Sequence, residues 1–243
     1  MPGDENSRRA DGGVAGARRY HHGDLAAALV AAGLELARAG GPDALGLREV
    51  TRAVGVTPNA AYRHFADRAA LVSAVAARAQ QQVALAMEAR MADADTEPDP
   101  GARALLRLRA VGLAYIDFAV AEPGWFQLAF HTREQFADSN NPDASGHTGA
   151  PPFQLLVTAL DDLVTTGILA PERRPHAEWA CWAAVHGLSD LATRGPLRDQ
   201  DPATVEQLAY YVVDRAITGV VADDTSAKTR SLNHDGTTTR PSG

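Results

Sequence analysis

Apolar residues recur at helical spacing in nearly every segment between residues 24 and 221, and this pattern predicts an all-α chain. Leu25, Leu29, Ala32 and Leu36 form the buried stripe of a first helix over residues 24–39. Gly40, Gly41 and Pro42 end it, since two flexible residues and a ring that blocks helix continuation follow one another. Leu47, Val50 and Val54 fall at i, i+3 and i+7 on a second, short helix. Gly55 stops it, because a left-handed residue there meets no Cβ clash. Thr57 is placed to cap a third helix and Pro58 to occupy its first position, where a missing N–H costs nothing. Residues 67–91 read as a long fourth helix capped by Asp67, with Leu71 and Val75 packing back on the first three.

The later segments follow the same period. Residues 102–121 are apolar almost all round, the mark of a helix buried on most sides. Glu122, Pro123 and Gly124 break that run, and residues 125–130 make a short aromatic helix. Residues 136–152 are polar and rich in Gly, Pro and Asn, and read as a long loop. Helices are expected at 153–167, with Leu156, Leu160 and Leu163 inward, and at 176–194. A last helix over 202–221 would bury Val205, Leu208, Val212 and Ala216. Residues 1–17 and 222–243 lack apolar periodicity and are expected to be a disordered arm and tail.

The third helix changes the picture from architecture to chemistry. At about 100° per residue, Ala61 and Phe65 share its inner face, and Asn59, Tyr62 and Arg63 share the outer one. That outer face is polar, aromatic and cationic. Asn can pair with adenine, Arg with guanine or phosphate, and Tyr can donate to phosphate. Helix, glycine turn and helix over residues 46–65 is a helix-turn-helix arrangement. Thr57, His64, Arg48 and Arg68 are candidate phosphate contacts around it. Arg18 and Arg19 stand where the arm meets the first helix, either as groove or phosphate contacts or as a solvated flank.

Charge supports a division of labour. The net charge of −7 argues against a uniformly basic nucleic-acid binder, but it is unevenly distributed. Residues 1–92 carry 11 Arg against 9 Asp and Glu, whereas residues 93–243 carry 12 Lys and Arg against 21 Asp and Glu. A mildly basic front and an acidic back fit a DNA-binding head on a body that DNA repels. Cys181 is the single cysteine, so no intramolecular disulfide can form. No signal peptide and no apolar run of about 18 residues are read, so a cytoplasmic protein without membrane contact is expected.

The segment LREVTRAVGVTPNAAYRHFADRAAL resembles the DNA-binding segment of the TetR family of transcriptional regulators, most specifically in Tyr62–Phe65 and the Asp67-Arg68 pair. RYHHGDL at residues 19–25 and WAAVHGL at residues 182–188 are similar to two anchors of a TetR subgroup with a WHG-type C-terminal domain. Ala61 is smaller than is usual in that subgroup, and Thr51 stands where alanine is common. The resemblance spans residues 19–221. It implies a head at 18–79, an effector-binding and dimerisation domain at 80–221, and regulation by a small apolar effector. It also implies that Trp182, His186 and Gly187 maintain the body fold.

No catalytic signature is present: there is no phosphate-binding glycine loop, no nucleophile elbow and no paired-cysteine or HExxH metal site. No cofactor is expected. His186 and Asp190, at i and i+4, make at most half of a metal site. Tyr115, Phe118, Trp125, Phe126 and Phe130, with Trp182 and His186, either line an effector pocket or form plain core. Val185, Leu188, Leu208, Tyr211, Val212 and Ala216 are the candidate dimer seam. The expected partners are a palindromic operator, a second copy of the chain and the effector. The expected function is a repressor released from its operator by the effector, set against two other readings, an activator of the same fold and a helical binding protein or enzyme whose head is only structural.

Overall fold

The computed structural model describes residues 25–130 and 142–222. The arm at 1–17, Arg18, Arg19 and all but the first residue of the tail at 222–243 lie outside them, as does part of the polar stretch from 136 to 152. Among the described residues there are nine helices. They are α1 (Leu25–Gly40), α2 (Leu47–Val54), α3 (Pro58–Ala61), α4 (Arg68–Ala94), α5 (Pro100–Ala121), α6 (Pro123–Phe130), α7 (Pro152–Thr165), α8 (Ala177–Thr193) and α9 (Pro202–Val221). None is long and apolar enough to cross a membrane.

Local sequence sets most of these boundaries. Asp67, Asp99 and Asp201 cap α4, α5 and α9, each accepting a backbone N–H at 2.7–3.0 Å. Pro stands at the start of α3, α5, α7 and α9. Gly55 ends α2 in the left-handed region at φ 78, where its N–H reaches the carbonyls of Thr51 and Arg52. Thr57 departs from expectation, since its hydroxyl makes no capping bond. The third helix is also shorter than expected. It closes after Ala61, and Tyr62–His64 continue as a turn that returns Phe65 to the core.

Burial rotates two predicted stripes. The core line of α1 runs through Leu29, Gly33 and Ala37, while Leu25, Ala32 and Leu36 are half-buried at its flanks. Gly33 lets α4 approach, because a Cβ there would meet the Val75 methyl at 2.7 Å. On α9 the buried positions are Val205, Ala209, Val213 and Val220, so Leu208 and Val212 are only half-buried. Simple i, i+3, i+4 bookkeeping cannot choose between adjacent stripes on a helix with apolar residues on two sides.

α5 is the central post. It packs against α4, α6, α7, α8 and α9, and Leu108, Val111, Tyr115, Ile116 and Phe118 are all buried. α4 carries the head on its first half and the body on its second. One continuous hydrophobic cluster therefore runs from Leu29 and Leu45 in the head to Val213 in α9.

Candidate nucleic-acid interface

The head presents its chemistry on the outside of α2, α3 and the turn that follows. Asn59, Tyr62, Arg63 and His64 are exposed, and Tyr62 keeps 55% of its surface accessible while Ala61 and Phe65 beneath it are buried. Arg48 stands exposed on α2. The Thr57 hydroxyl, free of capping duty, faces solvent at the entry to α3. Arg52 joins this surface and was not among the residues singled out from the sequence. A signal was available: it lies four residues from Arg48, so both project from one side of α2. Arg48, Arg52 and Arg63 have no carboxylate within 4 Å among the described residues. Such a surface can offer paired donors to base edges and cations to phosphates.

Arg68 has a different occupation from the one expected. Its guanidinium donates to the carbonyls of Leu45 at 2.7 Å and Pro42 at 3.1 Å. It ties the start of α4 to the turn before α2, behind the exposed face of α2 and α3.

The head meets the body at α6, through contacts that the sequence left unannounced. Trp125 Nε1 donates to the Leu34 carbonyl at 2.7 Å, and Arg38 lies over the Trp125 ring while forming a two-pronged ion pair with Glu122. Gly124 sits on the end of α1, where a Cβ would overlap the carbonyl oxygens of Ala37 and Arg38. Trp125, a candidate for either pocket or core, forms this joint, with Phe118 stacked beside it at 6.4 Å.

The body contains a small cavity of about 30 Å³ between α5, α7, α8 and α9, closed below by Met87 of α4. Leu108, Val111, Gly112 and Tyr115 line one side, Pro152 and Leu156 a second, and Cys181, Trp182, Val185, Val213, Ala216 and Ile217 the rest. Among the described residues no charged side chain lines it. Burial pushes the Cys181 thiol up to about 11, assisted by Glu178, so it is an inert apolar neighbour at neutral pH. Of the seven expected pocket residues, Tyr115 and Trp182 line the cavity. Phe126 and Phe130 pack behind Tyr115 with ring centres 5.5 and 5.1 Å away. Phe118 and Trp125 belong to the joint with the head. His186 stands beside Tyr115, its Nδ1 2.8 Å from the phenol oxygen. Burial, with the Asp190 charge second, raises Tyr115 well above its ordinary pKa and keeps it a phenol.

The expected seam also needs correction. Val185 and Leu188 are buried inside the single chain, so neither is presented outward as seam material, and the half-buried Ala216 lines the cavity with Val185. Leu208, Tyr211 and Val212 remain accessible. Beside them α8 exposes Trp179, Ala183, Gly187 and Leu191 at four-residue spacing, with Ala180 next to them, a stripe that the sequence reading passed over. Among the described residues no group of three or more His, Cys, Asp or Glu is arranged to hold a metal.

This is the architecture of an all-helical DNA-binding head on a helical body. Residues 29–75 match a family model described as bacterial regulatory proteins, tetR family. Residues 108–216 match one described as a tetracyclin repressor-like C-terminal domain, which includes the Trp182–Leu188 stretch. Among solved structures, the chain is similar to a protein with unknown function from Rhodococcus sp. RHA1, with 26% identity, 85% of this chain and 100% of that one covered, and a TM-score of 0.63. It shares its fold with a TetR variant from Acinetobacter baumannii AYE in complex with minocycline, at 21% identity, 79% and 93% coverage and a TM-score of 0.51. A bacterial regulatory protein of the tetR family from Rhodococcus RHA1 gives 20% identity, 82% and 98% coverage and a TM-score of 0.51. No curated protein matches the chain. The chain belongs to the TetR family and is a DNA-binding transcriptional regulator.

Proposed function

We propose that the protein is a repressor that binds a palindromic operator as a homodimer and leaves it when a small apolar effector enters the body. The observation that carries the reading is the unneutralised outer face of the head. Asn59, Tyr62 and Arg63 are the base-reading candidates, and Arg48, Arg52, Thr57 and His64 the phosphate contacts. Arg68 acts behind them through Leu45 and Pro42. The outer faces of α8 and α9, with Trp179, Ala183, Gly187, Leu208, Tyr211 and Val212, make the dimer seam. Small residues on α8 permit close approach of a partner helix, and the aromatic rings flank them. A two-fold dimer then requires half-sites about 34–36 Å apart, or a multiple of that spacing.

The cavity supplies the response. At about 30 Å³ it holds little more than one or two water-sized groups, so a larger apolar ligand must spread α5 from α8 and α9. Tyr115 and Trp182 touch such a ligand, Phe126 and Phe130 are displaced through Tyr115, and α6 delivers the shift to α1 through Trp125 and Gly124. The effect on DNA affinity is limited to the ligand's differential affinity for the two forms.

The test is binding to labelled DNA flanking the protein's own gene, across salt concentrations and with excess competitor. Tight, sequence-selective binding with a steep salt slope is expected. Equal, weak binding to every fragment, including genomic fragments recovered by footprinting, rejects the reading. Replacing Leu208 and Val212 by Asp is expected to give monomers by light scattering. A mass that stays at the dimer value removes both residues from the seam.

A further inference from the structure

The Ser145–Ala150 turn grips α4 through one carboxylate. Glu88 Oε2 accepts the His147 N–H at 2.7 Å, and Oε1 accepts both the Thr148 N–H at 2.9 Å and the Thr148 hydroxyl at 2.5 Å. Two turns earlier on α4, Gln81 Nε2 donates to the Ser145 carbonyl at 3.0 Å. The turn is closed on itself by Gly146 N–H to the Ala150 carbonyl and Gly149 N–H to the Gly146 carbonyl. Gly146 lies so close to Glu88 that a Cβ there would fall on both carboxylate oxygens. This is a shaped site at the surface, with both oxygens of the half-buried carboxylate engaged by three donors of one turn.

Its position gives it meaning. Met87, the neighbour of Glu88, closes the cavity from α4, and Pro152, two residues beyond the turn, opens α7 and lines the cavity from the other side. A ligand that enlarges the cavity therefore pushes on both elements that the turn joins. Without the clasp, the connection preceding α7 would absorb that motion. With it, α7 and the second half of α4 shift together, and α4 bears the head through Leu71 and Val75.

We propose that Glu88 and the Ser145–Ala150 turn form a clasp that makes the cavity wall and the head-bearing helix one mechanical unit, with Glu88 as a positioning residue for DNA binding. The role in DNA binding rests on the regulator reading above. The mechanical coupling does not.

Two substitutions open the clasp by different chemistry. Glu88→Gln puts an amide N–H₂ against one of the donors, and Gly146→Ala displaces the carboxylate without changing any charge. Thr148→Val removes the hydroxyl bond alone. Hydrogen exchange on the full-length chain is the readout, together with operator affinity at fixed salt. E88Q and G146A are each expected to speed exchange at His147 and Thr148 at least tenfold. They should also speed exchange across residues 83–91 of α4 at least threefold and change operator affinity at least threefold, with T148V between them and the parent. Faster exchange confined to the turn, with α4 and operator affinity unchanged, overturns the proposal, because the turn would then be only a local tether. Should the parent show no selective DNA binding, the regulator reading falls and the clasp is judged on α4 exchange alone.

Discussion

Arginines in the two halves of this molecule live differently. In the body Arg90 pairs with Asp117, Arg107 with Asp95, Arg174 with Asp161 and Glu178, and Arg194 with Asp190. Arg109 makes two 2.8 Å bonds to Asp214. On the head Arg48, Arg52 and Arg63 stand without an acidic partner among the described residues. Exposed ion pairs add little stability, typically about 0–1 kcal/mol each. Their consequence in the body is electrostatic: each pair cancels one positive charge, Arg103 and Arg173 bind backbone carbonyls and Arg215 lies over Tyr211, and the acidic excess of residues 93–243 disfavours DNA. The contrast therefore separates function from stability. The outer face of α2, α3 and the following turn leaves Arg48, Arg52 and Arg63 without a carboxylate, whereas Arg38 and Arg68 of the head and most arginines of the body are bound within the chain.

Substitutions can break that separation or sharpen it. The largest stability effect is expected from Phe126→Ala, which empties a fully buried site and costs about 3–5 kcal/mol in denaturant unfolding. The salt slope of DNA binding should stay unchanged in the folded fraction. Gly124→Ala comes next. Its new methyl collides with backbone oxygens at the joint and costs about 1–3 kcal/mol. Because the joint belongs to both halves, this variant should lose operator affinity as well as stability. Intact affinity would show that the α1–α6 contact does not set the head's pose.

Arg63→Ala should leave the unfolding midpoint in place and weaken operator binding. If it contacts a base, the loss is about 1–3 kcal/mol with relaxed specificity at one position; if a phosphate, the salt slope falls by about 1. A drop in stability instead would assign Arg63 to the fold. The smallest effect is in acid. Burial opposes ionisation of Glu88, but the Thr148 hydroxyl, the N–H groups of Thr148 and His147, and the charge of His147 outweigh it and hold its carboxyl below the usual range. A carboxylate with a lowered folded pKa contributes stability above its unfolded pKa of about 4.3 and loses it as pH falls through the folded value. The difference in midpoint between the parent and E88Q should therefore shrink as pH drops below about 5. A constant difference down to strong acid would mean that ionisation of Glu88 does not stabilise the fold.

Much of the helical order was legible because its signals are local. Asp67 and the prolines at helix starts, and Gly55 at the end of α2, act within four residues of themselves, and so does the alternation that buries Ala61 and Phe65 under Tyr62 and Arg63. The exposure of Asn59, Tyr62 and Arg63, the face proposed to read DNA, was legible for the same reason. Its omission of Arg52 was an oversight of pattern, since the i, i+4 relation to Arg48 was visible. The pocket and seam were read less well. α8 and α9 carry apolar residues on more than one face, and helical spacing alone does not say which face meets α5 and which meets solvent.

An all-helical chain, a helix-turn-helix with a polar and cationic outer face, and the family all follow from residues that stand near one another in the chain. Packing in three dimensions was needed to assign Arg68 to the head's own backbone and to join head to body through Trp125 and Gly124. It also turned Val185 and Ala216 toward a cavity and set Glu88 on a distant turn. Arg68 and Leu45 are 23 positions apart, Glu88 and Thr148 60, and Trp125 and Leu34 91. No local signal spans such separations, because the proximity exists only once the helices have packed.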